Sequence, residues 1–118
     1  MLVPLAQATR HETPNAVMRR YPGTATAVWR TEMVPGATGP EHVFDVEQVV
    51  VVVEGRLRVT VQDETLVAGP GDAITLPAGL TRQLANDADG PLVAISSAPP
   101  GGTAQVGEAS GVPVPWAG

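Results

Sequence analysis

Twelve prolines and thirteen glycines interrupt this chain at short intervals, and the stretches between them are rich in valine, threonine and alternating apolar residues. Proline removes a backbone donor and glycine loosens the backbone, so breaks this frequent leave no room for long helices. No segment keeps a convincing helical period over roughly ten residues. Many short strands are what remains.

Several of those strands are legible residue by residue. From Thr24 to Val34, Ala27, Trp29 and Met33 share one face while Arg30 and Glu32 share the other, and Pro35-Gly36 closes the segment. Val49 to Val53 is an unbroken valine run, too short for a helix, and predicts a strand buried on both faces. Glu54-Gly55 then turns into Arg56 to Gln62, where Leu57, Val59 and Val61 alternate with polar residues, so the two segments are expected to form a hairpin. Further strands are expected at Thr65 to Ala68, Ala73 to Leu76, Leu80 to Ala85 and Leu92 to Ser96, separated by Gly/Pro-rich or polar turns. About eight short antiparallel strands cannot leave many edges open, so the expected fold is all-β, a closed barrel or two-sheet jelly roll. The sequence contains no internal repeat strong enough to define an array.

With 118 residues and 43% apolar content, the chain suits one core and one domain. A net charge of -5 and a pI near 4.8 argue against a nucleic-acid or anionic-membrane surface, which needs clustered positive charge. A small molecule or a protein is the expected partner. There is no cysteine, which removes disulfides, thiolate nucleophiles and thiolate metal sites. All seven basic residues are arginine, so Schiff-base chemistry on lysine is closed off. The serines Ser96, Ser97 and Ser110 lack a nucleophile-elbow context, and no phosphate-cradling glycine loop opens a helix. The N-terminal residues lack the pattern of a secretory signal, and no run approaches the ~20 apolar residues of a membrane span, so the expected location is the cytoplasm.

The expected division is an N-terminal arm or strand at residues 1–23, a barrel at 24–97, and a Pro/Gly-rich tail at 98–118 that packs on the barrel or on a second subunit. Trp116, with Pro113 and Pro115 just before it, is the natural anchor for that tail. A homodimer is expected, in which the arm or an exposed strand of one subunit extends the sheet of the other.

Gly36 to Gly55 resembles the first motif of the cupin superfamily: a glycine, a His-x-His pair, a glutamate and a closing glycine. Counted back from Gly55, the first histidine falls on His42, the second on Phe44 and the glutamate on Gln48. The second motif is visible as Gly71 to Arg82 followed by Asn86, with Arg82 where the family has a third histidine. The resemblance, to small single-domain cupins of the cupin 2, RmlC-like type, spans roughly Thr24 to Ser97. It implies a jelly-roll β-barrel (a double-stranded β-helix).

In metal-dependent members, three histidines and a glutamate hold Fe, Mn, Ni, Cu or Zn. Of those four positions only His42 is retained. Phe44 has no lone pair, Gln48 offers only a neutral oxygen and Arg82 is a permanent cation, so the resemblance implies no resident cofactor. A thin metal site from His42, Glu47 and Gln48 is the alternative, if a bulge swings Glu47 inward and His11 or water completes it. Strand parity in this family puts His42, Phe44, Gln48 and Arg82 on the barrel lining. They would bind a small organic acid or carbonyl compound, with His42 as general acid or base, Arg82 clamping an oxyanion, Gln48 orienting it, and Phe44 and Trp29 as walls.

Three functions therefore remain open: a metal-free isomerase, cyclase or lyase, a ligand-binding module without turnover, and a metal-dependent dioxygenase or isomerase. Against each role stands a bland reading. Arg82 could simply pair with Glu47, His42 could be a hydrogen-bonded residue at the barrel mouth, Trp29 and Met33 could be core, and His11 could be exposed.

Overall fold

The computed structural model describes all residues, Met1–Gly118. Twelve strands follow one another: β1 (Thr9–Glu12), β2 (Val17–Tyr21), β3 (Ala27–Met33), β4 (His42–Phe44), β5 (Gln48–Glu54), β6 (Leu57–Val61), β7 (Glu64–Ala68), β8 (Ala73–Leu76), β9 (Thr81–Ala85), β10 (Leu92–Ala98), β11 (Thr103–Val106) and β12 (Ala109–Pro113). The only helical turns are the 3-10 segments Leu5–Gln7 and Pro115–Ala117. No helix is long and apolar enough to cross a membrane.

The strands build two six-stranded antiparallel sheets. One has the order β1-β2-β3-β10-β5-β8 and the other β12-β11-β4-β9-β6-β7. From β3 onward the chain passes repeatedly between sheets, which is the jelly-roll arrangement expected from the turn spacing. Period-two alternation decides what faces inward. Register sets Ser96 of β10 between Trp29 of β3 and Val50 of β5, one row across the inner face of the first sheet. The core falls into two clusters. An aliphatic one is centred on Met33, Val50, Val59, Leu57 and Leu92, and a second gathers Met18, Ala27, Trp29, Phe44, Ala98 and Ala117.

Two expectations about β5 are corrected. Val50 and Val52 are buried, but Val51 and Val53 are 38% and 54% exposed, so the strand is covered on one face only. Valine on the outer face suits the pleated backbone without needing burial. The expected hairpin with β6 also does not form: β5 pairs with β10 and β8, while β6 pairs with β7 and β9. The Glu54-Gly55 turn is instead a corner between sheets. Gly55 takes φ +84°, and a methyl group there would collide with the carbonyl oxygen of Pro91 at the approach to β10.

The sheets run without a break across residues 23/24 and 97/98. β2 pairs with β3 of its own chain, and β11 pairs with β4. The start of the tail is clasped by Asp45, whose carboxylate accepts from the Thr103 backbone N–H at 2.7 Å and from its hydroxyl at 2.9 Å. These donors hold the Asp45 carboxyl below its usual pKa. At the other end of the tail, the Gly101 N–H donates to Ala117 and Arg20 donates to the Gly118 carbonyl.

The corner predicts an asymmetry between glycines. Gly55→Ala should lower the unfolding free energy by about 1–3 kcal/mol, because strain and a backbone collision act together. Gly90→Ala, where no atom lies within 4 Å of the added carbon, should stay within about 0.5 kcal/mol of the parent. Urea midpoints of the two variants check this, and equal midpoints would refute the corner geometry.

Candidate functional site

The two sheets do not close completely on each other. Between them lies a cavity of about 340 Å³, with an interior that is mostly apolar. Trp29, Met33, Gln48, Val50 and Ser96 form its wall on the first sheet, and His42, Phe44, Leu57, Leu84 and Ala104 its wall on the second. Its mouth is bordered by the β1–β2 turn, residues 13–16, and by Pro113, Val114 and Trp116 of the tail.

His42 opens β4 and is opposite Arg82 of β9 in the register, so both project from the inner face of the sheet. The His42 Nδ1 lies 3.1 Å from the Pro40 carbonyl oxygen. A carbonyl can only accept, so the neutral ring carries its proton on Nδ1 and keeps a lone pair on Nε2. Burial lowers the His42 pKa from its ordinary 6.5, the positive charge of Arg82 lowers it further, and the Pro40 bond opposes them in part. Across the cavity, the buried Gln48 Nε2 donates to Ser96 Oγ at 3.2 Å, which fixes an amide–hydroxyl pair in an otherwise oily wall. A proton acceptor on one wall thus faces hydrogen-bonding groups on the other.

Phe44 is held from behind. It is 3% exposed, and a methyl group added to Gly102 would stand 2.7 Å from its ring. The absence of a side chain at Gly102 is what lets the tail backbone pass against the ring.

Arg82 requires a correction. It faces inward beside His42, but its guanidinium does not form part of the cavity wall. The side chain is 1% exposed, Nε donates to the Leu80 carbonyl at 3.1 Å, and Nη2 donates to that of Pro77 at 2.6 Å. No carboxylate pairs with it, and Nη1 is buried without a partner. The alternative ion pair with Glu47 is therefore absent. Burial lowers the Arg82 pKa, and the group is still a cation at neutral pH.

The three residues of the metal alternative, His42, Glu47 and Gln48, are not brought together. Glu47 is exposed and borders a shallow groove with Thr26 and Ser97, away from His42. No group of three or more His, Asp or Glu side chains gathers anywhere in the chain. The donor set at the family's usual position is one imidazole, one phenyl ring, one amide already bonded to Ser96 and one cation. That set does not fit a divalent transition metal, whose binding needs several lone pairs and no adjacent positive charge. His11 is partly buried in β1, with its ring 6.3 Å from that of Trp116, rather than free in solvent.

Of the residues singled out in the sequence, the structure brings His42, Phe44, Gln48 and Trp29 together around one cavity. Trp29 is at once core, at 3% exposure, and cavity wall. Sequence reading missed Ser96, although its position in β10 between Leu92, Ala94 and Ala98 would have placed it inward by parity. It also missed the mouth residues of the β1–β2 turn.

The model of the cupin domain family matches residues 29–97. Among solved structures, the chain is similar to a sugar phosphate isomerase of the cupin superfamily from Silicibacter pomeroyi, with 21% identity, a TM-score of 0.76, and coverage of 92% of this chain and 83% of that one. It is also similar to a polyketide cyclase from Streptomyces resistomycificus, with 21% identity, a TM-score of 0.72, and coverage of 84% and 78%. An oxalate decarboxylase from Lactobacillus farciminis shares 18% identity at a TM-score of 0.72, over 80% of this chain and 31% of that one. Among curated proteins, none matches the chain in sequence. At these identities the likeness fixes the fold, while the family match and the two glycine frames around Gly55 and Gly71 to Gly79 agree on descent: the chain belongs to the cupin superfamily.

Proposed function

We propose that the protein binds a small, mostly apolar carbonyl or carboxylic compound in its barrel and isomerises or cyclises it through an enolate, without a resident metal. One observation carries this reading: a histidine whose Nδ1 is bonded to the Pro40 carbonyl lines an apolar cavity whose opposite wall bears the Gln48–Ser96 pair. The named activities of the isomerase and the cyclase with the same fold are of this general kind, which supports it.

In the proposed step, His42 Nε2 takes a proton from the carbon next to a carbonyl. The electron pair of that C–H bond becomes the C=C bond of the enolate, and the carbonyl oxygen takes the negative charge. Gln48 and Ser96 supply hydrogen bonds to the substrate's polar atoms, and the imidazolium returns its proton to another carbon or to the oxygen. Arg82, a buried cation beside His42 with no acid to neutralise it, favours negative charge at that end of the cavity. Burial, and to a smaller extent the charge of Arg82, lower the His42 pKa and so favour the neutral base.

His42→Ala should reduce turnover by about 10²–10⁴-fold and weaken ligand binding only slightly. A parent protein that binds the compound without converting it, with binding only modestly weakened in His42→Ala, would mark a binding module instead. The rate should fall on the acid side as His42 is protonated, with a midpoint below 6.5, and level off above it.

The same shift makes a stability prediction. The unfolded chain protonates His42 near pH 6.5 and the folded one at lower pH, so this contribution is complete above about pH 6.5 and declines as the pH falls. Titration of the His42 ring by NMR checks the direction, and a midpoint above 6.5 would contradict it. Elemental analysis of untagged protein should find no stoichiometric iron, manganese, nickel, copper or zinc. Gln48→Glu combined with Arg82→His, which restores two missing ligands, should create metal affinity that the parent lacks.

A further inference from the structure

The chain has four aromatic side chains, two Trp, one Tyr and one Phe. Three of them, Trp29, Phe44 and Trp116, line the one cavity described above, and only Tyr21 lies outside its wall. They reach it from three unrelated places: Trp29 from the first sheet, Phe44 from the second and Trp116 from the C-terminal 3-10 turn. In a sequence that is 3% aromatic and fills its core with valine, leucine and alanine, such convergence is the most selective use of residue type in the molecule.

We propose that the cavity selects flat, conjugated ring compounds, and that Trp116 is the residue that sets this preference. The inference rests on the cavity being the ligand site, as proposed above, and adds the class of molecule it takes. Aromatic walls gain from an aromatic guest a stacking or edge-to-face contact that a saturated guest of equal size does not provide. The cavity volume of about 340 Å³ equals the liquid volume of about eleven waters, which accommodates one or two fused rings. The aromatic side chains gather at one end of the cavity, with Met33, Leu57 and Leu92 forming an aliphatic end suited to a saturated substituent.

Trp116 is held in place before any ligand arrives. Pro113 and Pro115 stiffen the chain that leads into it, and the following Ala117 is fully buried. Backbone bonds tie this turn down, from the Ala117 N–H to the Val114 carbonyl and from the Gly101 N–H to the Ala117 carbonyl. The His11 ring, tilted by 58°, supports the indole from β1. A wall fixed in this way binds without first paying to order itself.

The test compares 2-naphthol with decahydro-2-naphthol, which share a carbon skeleton and hydroxyl group but differ in flatness and conjugation. Isothermal titration calorimetry on the full chain should show the naphthol bound about tenfold more tightly. Trp116→Leu should lose most of that difference by weakening naphthol alone, and Trp116→Phe should restore part of it. Far-UV circular dichroism identifies a variant that has lost its fold, in which case the two-compound comparison on the parent decides. Equal affinities in the parent, or a naphthol preference unchanged in a folded Trp116→Leu variant, would overturn the inference. Binding of neither compound would do so as well. Small aliphatic keto acids bound or turned over in dependence on His42 would then leave the broader function standing, whereas no response to either class would remove both.

Discussion

Two facing sheets must fill a layer about 10 Å thick with side chains, and everything distinctive in this molecule follows from how incompletely they do so. Around the aliphatic cluster the inward positions are Val50, Val59, Leu57 and Leu92, and they pack. Along the cavity wall they include Ala94, Ser96 and Ala104, residues too short to meet across the layer. Large aromatic rings from Trp29 and Phe44 occupy part of the space, and the remainder is the cavity. Filling it with leucines would strengthen the core, since buried apolar area stabilises at about 25 cal/mol per Å². The sequence forgoes that gain and keeps a hole lined with polar groups at chosen points, which is the pattern of a ligand site.

Arg82 is the second departure from a simple core. Removing a guanidinium from water costs several kcal/mol unless partners replace the water, and here two backbone carbonyls do so while Nη1 has none. An aliphatic residue in that place would avoid the penalty. Its positive charge lies beside His42 in the register and adds to burial in lowering the His42 pKa. A buried charge that destabilises the fold while keeping a neighbouring base neutral is understandable at a working site and costly anywhere else.

The parts of this arrangement visible in the sequence are those governed by strand parity and by turns that only glycine can make. Gly55, Gly71 and Gly79 all adopt positive φ, and the inward placement of His42, Phe44 and Gln48 follows from counting residues back from the first of them. Parity fixes the face from which a side chain leaves but not where a long one ends, and Arg82 ends at the carbonyls of Pro77 and Leu80. The terminal strands were hidden for another reason: Thr9–Glu12 contains no apolar residue, and Ala109–Pro113 contains a glycine and a proline. Their pairing is imposed by the edge strands they join, β2 and β11, rather than by any pattern of their own. The valine run misled because a β-branched residue favours a strand whether or not its face is covered.

These terminal strands connect the fold to the site. The same segments that extend the two sheets also border the cavity mouth, the β1–β2 turn on one side and Val114 and Trp116 on the other, with His11 and Trp116 in contact between them. Their attachments include the Asp45–Thr103 clasp and the backbone bonds that tie down Ala117. A ligand in the cavity touches both termini and the sheets at once, and any molecule that binds only when the termini are in place must stabilise them in proportion to its affinity. Under the proposed function, order at the two ends of the chain and occupancy of the barrel are therefore thermodynamically linked.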